Sequence, residues 1–210
     1  MTSLSHILEN KVVAIVRGAN PKSLLPIARA LHAGGIRTLE ITLNSPGALA
    51  SIEEISAAMG EQLLVGAGTV LDPETARAAL LAGARYIISP TLNKATIRMT
   101  KRYGAVSIPG ALTATEILTA YEYGGDIIKV FPASVGATYF RDLAGPLPFI
   151  PLMPTGGVTL DNIKDFHKAG AVAFGLGSAL VDTSREVTDE YLDQLTAKAR
   201  QFVLALTPLD

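Results

Sequence analysis

The stretch Gly125-Asp126-Ile127-Ile128-Lys129-Val130-Phe131-Pro132-Ala133 decides how the rest of the chain is read. One lysine sits among apolar, largely β-branched residues in a run too short for a helix, and Pro132 ends it, a pattern that predicts a buried strand. A cationic side chain is costly to bury unless it is paired or gives up its proton. A lysine inside an apolar strand therefore points to a depressed pKa and a nucleophilic amine. The alternative is an edge strand from which Lys129 snorkels to solvent. The segment alone leaves both open, and its neighbours must decide.

Working outward, the same alternation of apolar run and amphipathic run recurs on both sides. Toward the N-terminus, Val12 to Val16 reads as a strand ending in Arg17-Gly18, and Asn20-Pro21 opens a helical pattern (Leu24, Leu25, Ile27, Ala28, Leu31) closed by Gly34-Gly35. Thr38 to Leu43 is a strand, Asn44-Ser45-Pro46 caps a helix through Met59, and Leu63 to Thr69 is a strand. Asp72-Pro73 starts a helix ending at Gly83, and Tyr86 to Pro90 is the fourth strand. A helix from Asn93 to Tyr103, the strand Ala105 to Ile108 and a helix from Thr113 to Tyr123 lead into the Lys129 strand. Beyond it come a short helix at Tyr139 to Leu143, a strand at Phe149 to Met153, the turn Pro154-Thr155-Gly156-Gly157, a helix at Asp161 to Ala169, a strand at Val172 to Leu176 and a last helix at Tyr191 to Leu206. About eight strand-helix units with no linker predict an α/β fold, a (β/α)₈ TIM barrel formed as a single domain over residues 1–210. An open doubly wound sheet is disfavoured, because no Gly-x-Gly-x-x-Gly follows the first strand.

Composition narrows the function. The 210 residues are 49% hydrophobic and 18% charged, with a formal net charge of -1, so nothing marks a nucleic-acid or anionic-membrane surface and the partner is a small molecule. Cysteine is absent, which removes thiolate chemistry and fits a reducing, cytoplasmic setting. Met1 to Lys11 lacks the apolar core of a secretory signal. The longest uncharged apolar tract, Ala169 to Val181, is too short to span a bilayer. His6, His32 and His167 lie away from strand exits, and no spacing suggests a metal site, so surface or capping roles are expected. Tyr121 and Tyr123, before Gly124 at a helix end, are expected to pack.

In a barrel, reacting groups cluster where strands end. Arg17, Glu40, Thr69, Pro90, Pro109 and Lys129 occupy or follow the first six strands. Strand alternation puts Leu39, Ile41 and Leu43 on one face and Glu40 on the other with Thr38 and Thr42. The apolar set faces the helices, so Glu40 points inward, as does Lys129 if it shares a face with Ile127 and Phe131. A structural salt bridge between Glu40 and Lys129 is the competing explanation, one that stability alone seldom justifies. The last two strands end in Thr155-Gly156-Gly157 and Gly175-Leu176-Gly177-Ser178, where backbone amides can approach a phosphate.

These residues carry a resemblance. Gly35-Ile36-Arg37-Thr38-Leu39-Glu40-Ile41-Thr42-Leu43, Val65-Gly66-Ala67-Gly68-Thr69-Val70, Ile88-Ser89-Pro90, Ile108-Pro109-Gly110, Ile128-Lys129-Val130-Phe131-Pro132-Ala133 and Pro154-Thr155-Gly156-Gly157-Val158 resemble, in order and spacing, the 2-keto-3-deoxy-6-phosphogluconate/4-hydroxy-2-oxoglutarate aldolases. The resemblance implies a cofactor-free class I aldolase, a homotrimer of barrels, that cleaves a phosphorylated 2-keto-3-deoxy sugar acid to pyruvate and glyceraldehyde 3-phosphate. It implies Lys129 as the Schiff-base lysine, Glu40 as the general acid/base, Thr69 and Pro90 at the pyruvate end, and Thr155, Gly156, Gly157, Gly177 and Ser178 around the phosphate. Some members carry an arginine directly after the Glu-x-Thr-Leu motif, where this chain has Asn44. Arg17 is the candidate carboxylate ligand in its place, since a guanidinium matches a carboxylate bidentately. The Asn-Ser-Pro turn is shared with the phosphogalactonate aldolases, which leaves the C4 epimer open. Two rival readings are a phosphate-binding barrel isomerase without a covalent intermediate and a non-catalytic sugar-acid binding module.

Overall fold

The computed structural model describes residues 2–207. Helices and strands alternate as α1 Ser3–Asn10, β1 Val12–Val16, α2 Pro21–Ala33, β2 Thr38–Thr42, α3 Ala48–Met59, β3 Leu64–Gly68, α4 Pro73–Leu81, β4 Tyr86–Ile88, α5 Lys94–Arg102, β5 Val106–Ile108 and β6 Gly110–Ala111. There follow α6 Ala114–Glu122, β7 Ile128–Val130, a 3-10 turn at Ala133–Val135, α7 Ala137–Ala144, β8 Leu152–Pro154, α8 Ile163–Lys168, β9 Phe174–Leu176 and α9 Asp189–Leu206. Every paired strand is parallel to its neighbour, in a six-stranded sheet of order β5-β4-β3-β2-β1-β9 and a three-stranded sheet of order β6-β7-β8. The sheets curl into an α/β array with helices outside.

Strand parity sorts the core into two clusters. Val12, Ala14 and Val16 of β1, Leu39 and Ile41 of β2, and Ile128 and Val130 of β7 pack outward with Leu31, Ile52, Ile117 and Phe202 of the helices. Val13, Tyr86, Ile88, Val106, Ile108, Ile127 and Met153 pack on the inner face. The two-residue repeat of a strand, applied to apolar residues on both faces, produces this division.

Several expectations need correction. The polar N-terminus forms α1, capped by the Thr2 side chain, and its Ile7 is fully buried in the inner cluster. Asn44-Ser45-Pro46 does not cap α3: the chain turns, Gly47 with φ 64° is the cap residue, and Ser45 is instead buried against Thr42. The fifth strand breaks at Pro109, which has no N–H to donate, so Val106–Ile108 pairs with β4 and Gly110–Ala111 with β7. The predicted strand Phe149 to Met153 starts only at Leu152, as β8, and Phe149 is 56% exposed. Tyr121 and Tyr123 are also exposed, Tyr121 edge-on to Phe149 and Tyr123 beneath the Lys94 ammonium. His6 bonds through Nε2 to the Arg37 carbonyl, 3.0 Å. Among the described residues no helix is long and apolar enough to cross a membrane.

Candidate active site

Lys129 occupies the middle of β7, which is hydrogen-bonded to β6 on one side and β8 on the other. It is therefore on no edge, and at 3% exposure its side chain does not snorkel to bulk water. Its register partners are Gly110 and Met153, and its backbone N–H donates to the Pro109 carbonyl at 3.0 Å. Ile127 and Phe131 share its face by alternation, and Nζ lies 4.9 Å from the centre of the Phe131 ring. Burial lowers the Lys129 pKa; Glu40 opposes that shift and Arg17 reinforces it.

Glu40 lies on the inner face of β2 and is 1% exposed. Its carboxyl reaches over Gly68 of β3, where a Cβ would stand 1.6 Å from Oε1. A side chain at residue 68 and the carboxyl cannot coexist in this position. Burial raises the Glu40 pKa, against the pull of Lys129 and then Arg17. Neither carboxyl oxygen has a protein hydrogen-bond partner, and no nitrogen of Lys129 or Arg17 comes within the 4.0 Å of a salt bridge. The structural ion pair is thus not formed; the two groups share a field without a bond.

Local bonds set the mouth of the site. Ser45 Oγ lies 2.9 Å from Thr42 Oγ1 and accepts from the Gly18 N–H at 2.8 Å, tying the ends of β1 and β2 together. Thr183 Oγ1 donates to the Arg17 carbonyl at 2.6 Å, and Arg17 Nη1 donates to Asn44 Oδ1 at 3.3 Å. On the opposite wall, Asn162 clasps the glycine turn: Nδ2 donates to the Gly157 carbonyl and Oδ1 accepts from the Thr159 N–H, both at 2.8 Å. Gly156 and Gly157 adopt φ 80° and 93°, which a side-chain-bearing residue rarely does. After β9, the Leu180 and Val181 N–H groups fold back on the Gly177 carbonyl. The backbone N–H groups of Gly156, Gly157, Gly177 and Ser178 have no backbone acceptor among the described residues, and all four residues face one cleft.

That cleft has a volume of about 590 Å³ and is lined by Arg17, Lys129, Thr155, Gly156, Gly157, Gly177 and Ser178 among others. Seven of the ten residues singled out in the sequence thus line one cleft, with Glu40 buried beside Lys129. Thr69 and Pro90 are half-buried at the ends of β3 and β4 and are not part of the cleft wall. Pro90 lies against Gly110, the register partner of Lys129, while Thr69 holds a left-handed φ of 58°. Sequence reasoning missed Ile15, Phe131, Val158 and Thr183 as lining residues. Parity with Arg17 and Lys129 could have found Ile15 and Phe131; nothing local could have found Thr183, which meets Arg17 across 166 residues. A second cavity, about 430 Å³, opens at the other end of the strands beside Thr2, His6 and Arg85, away from these groups. Among the described residues no cluster of His, Cys, Asp or Glu could hold a metal ion.

An amine biased toward its neutral form beside a carboxyl biased toward its protonated form can add reversibly to a carbonyl and pass protons to and from the adduct. Addition of that kind is the chemistry of a Schiff-base enzyme acting on a carbonyl substrate. A family sequence model described as "Aldolase: KDPG and KHG aldolase" matches residues 4–197. The chain belongs to that family. It is 39% identical over 178 residues to the 2-dehydro-3-deoxy-6-phosphogalactonate aldolase of Escherichia coli, covering 84% of this chain and 87% of that one. It is 34% identical to the 2-dehydro-3-deoxy-phosphogluconate aldolase of Treponema pallidum, covering 96% of each. Among solved structures it resembles a chain of a cube-shaped cage designed by fusing symmetric oligomeric domains (36% identity, TM-score 0.87, 93% of this chain and 71% of that one). It also resembles the KDPG aldolase of Legionella pneumophila with pyruvate captured as a covalent carbinolamine (26% identity, TM-score 0.83, 95% and 97%).

Proposed function

We propose that the protein is a class I aldolase that cleaves 2-keto-3-deoxy-6-phosphogluconate or its galactonate epimer to pyruvate and glyceraldehyde 3-phosphate. The single observation that carries this reading is the amine of Lys129, held at 3% exposure beside Glu40 and facing a cleft with two glycine turns. Nζ attacks the C2 ketone, Glu40 gives a proton to the departing oxygen, and loss of water leaves an iminium. Glu40, now a carboxylate, takes the C4 hydroxyl proton as the C3–C4 bond breaks. The electron pair flows into the iminium, giving the pyruvate enamine and releasing the aldehyde. Protonation at C3 and hydrolysis return pyruvate and the free lysine.

Arg17 holds the substrate carboxylate, while Thr69 and Pro90 close the pyruvate end from the β3 and β4 exits. The N–H groups of Gly156, Gly157, Gly177 and Ser178, with the Thr155 hydroxyl nearby, receive the phosphate. Remote phosphate binding then positions the reacting carbons.

The strand array reads as a single-domain, closed (β/α)₈ barrel in which β5 and β6 are one strand interrupted at Pro109. Supporting closure, Thr155 bridges to Gly175, and the Val172 N–H donates to the Leu152 carbonyl at 3.0 Å between β8 and β9. The cytoplasmic homotrimer is supported by the absence of cysteine and by the symmetric oligomeric domains of the related cage.

Borohydride reduction in the presence of pyruvate tests the central claim: a stable mass gain must map to Lys129. No gain, or a gain on another residue, removes the covalent mechanism and favours an isomerase or binding module. A panel of the two epimers, with and without phosphate, then assigns the substrate by kcat/KM.

A further inference from the structure

The inner face of the strand array beneath Glu40 holds a group of polar side chains that the mechanism above leaves unused. Tyr86 of β4 is 0% exposed and Thr38 of β2 is 1% exposed. The Tyr86 hydroxyl, Thr38 Oγ1 and both Glu40 oxygens lack a protein hydrogen-bond partner. Oxygens buried in this way bear the full cost of desolvation unless something satisfies them.

Register puts these side chains at neighbouring positions of one face. Thr38 and Glu40 share the inner face of β2, and Glu40 pairs with Gly66 of β3. Ala67 pairs with Ile87, so Tyr86 stands beside Gly66 on the next strand. Because Gly66 has no side chain, the phenol ring lies across it toward β2: a Cβ there would be 2.3 Å from both Cε2 and Cζ, the hydroxyl end of the ring. The Glu40 carboxyl takes the next gap on the same face, above Gly68. The two glycines therefore bring phenol and carboxyl over adjacent same-face positions of one strand, roughly 7 Å apart at the Cβ level. No direct bond joins phenol and carboxyl, and buried polar oxygens left without a protein partner are where an internal water is held.

We propose that the Tyr86 hydroxyl, Thr38 Oγ1 and the Glu40 carboxyl hold one internal water between them, which makes Tyr86 a positioning residue that keeps the carboxyl aimed at Lys129 and favours its ionised form. The phenol donates to the water, the water donates to the carboxylate, and Thr38 completes its coordination. Burial first, and the Glu40 charge second, push the Tyr86 pKa well above its usual range, so the phenol stays a donor. The other charged groups bearing on Glu40 are Lys129 from β7 and Arg17 from the end of β1; β3 faces it with Leu64, Gly66 and Gly68 and no charge.

The inference rests on Glu40 as the proton-transfer group, and the test separates the two. Tyr86→Phe and Thr38→Val each remove a hydroxyl and keep the shape, and kcat and KM are measured across pH by pyruvate release. Losing a donor to a carboxylate raises its pKa, so the acid limb should move up by about one pH unit, with kcat down roughly tenfold and KM little changed. Thr38→Ser, which keeps the oxygen, should return the acid limb toward its original position. An unmoved acid limb in whichever of Tyr86→Phe and Thr38→Val folds overturns the proposal, even if the melting temperature falls, because simple packing loss does that. Glu40→Gln is run in parallel: retained turnover there overturns the role of Glu40 itself, whereas an inactive Glu40→Gln with a wild-type Tyr86→Phe profile overturns only the water network.

Discussion

Gly68→Ala offers a test of Glu40 that leaves its chemistry untouched. A Cβ at residue 68 would lie 1.6 Å from Oε1, 2.3 Å from Cδ and 2.6 Å from Cγ of Glu40. Restoring ordinary contact of about 3.5 Å requires the carboxyl to retreat by roughly 2 Å. Gly68 is not among the residues with positive φ, so the backbone accepts alanine and the strain falls on the Glu40 side chain. Misplacement by about 1 Å can cost on the order of 100-fold, so kcat should fall at least about 100-fold. Overpacking should cost about 1–3 kcal/mol, and at about 2–4 °C per kcal/mol the melting temperature should drop by several degrees. The control is Gly145→Ala, whose new methyl would meet only the Asp142 carbonyl at 3.6 Å. It should leave turnover and melting unchanged. Measurement needs a continuous pyruvate-release assay and a thermal melt on both variants. Turnover within about twofold of wild type in folded Gly68→Ala would refute the placement of Glu40 at the reacting carbons, since its displacement would then be harmless.

Three further outcomes follow from the same geometry. Lys129→Met should be inactive and take up no borohydride-fixed pyruvate. Because burial holds the Lys129 pKa below its unfolded value, the unfolded chain carries the extra proton between the two values. The wild-type stability contribution from this group therefore rises with pH across that window and is lost as pH falls through the folded value; chemical denaturation across pH should show the rise flattened in Lys129→Met. Arg17→Met should raise KM for the keto acid by about tenfold or more, as expected when a charged partner of a carboxylate is lost, with imine trapping at saturating pyruvate preserved. Gly177→Ala meets no protein atom within 4 Å of its new Cβ, so folding should be unaffected. Its methyl would crowd the N–H groups facing the cleft, raising KM for phosphorylated substrates roughly tenfold while sparing unphosphorylated ones; equal effects on both would argue against a phosphate there.

The placement of Lys129 and Glu40 was legible because each interrupts an apolar strand pattern, and such an interruption carries a desolvation cost that needs a reason. The two glycine turns were legible as strand-exit signals. Helix α1 was not, because its amphipathic stripe of Leu4, Ile7 and Leu8 is short and gains its stability from covering the inner cluster, a surface that exists only after the strands assemble. The break at Pro109 and the Gly47 cap likewise depend on hydrogen bonds and backbone angles that composition does not encode.

The sequence by itself determined which side chains alternate onto the inner face, and thereby that an amine, a carboxyl and two glycine turns would share one side of a parallel strand array. Tertiary structure alone decided how near they stand. Glu40 makes no ion pair with Lys129, and its carboxyl occupies the space that Gly68 leaves open. Likewise, the Arg17 backbone is held by Thr183 from the far end of the chain. Periodicity specifies a direction for each side chain, whereas distance depends on how strands from remote segments are registered and curled.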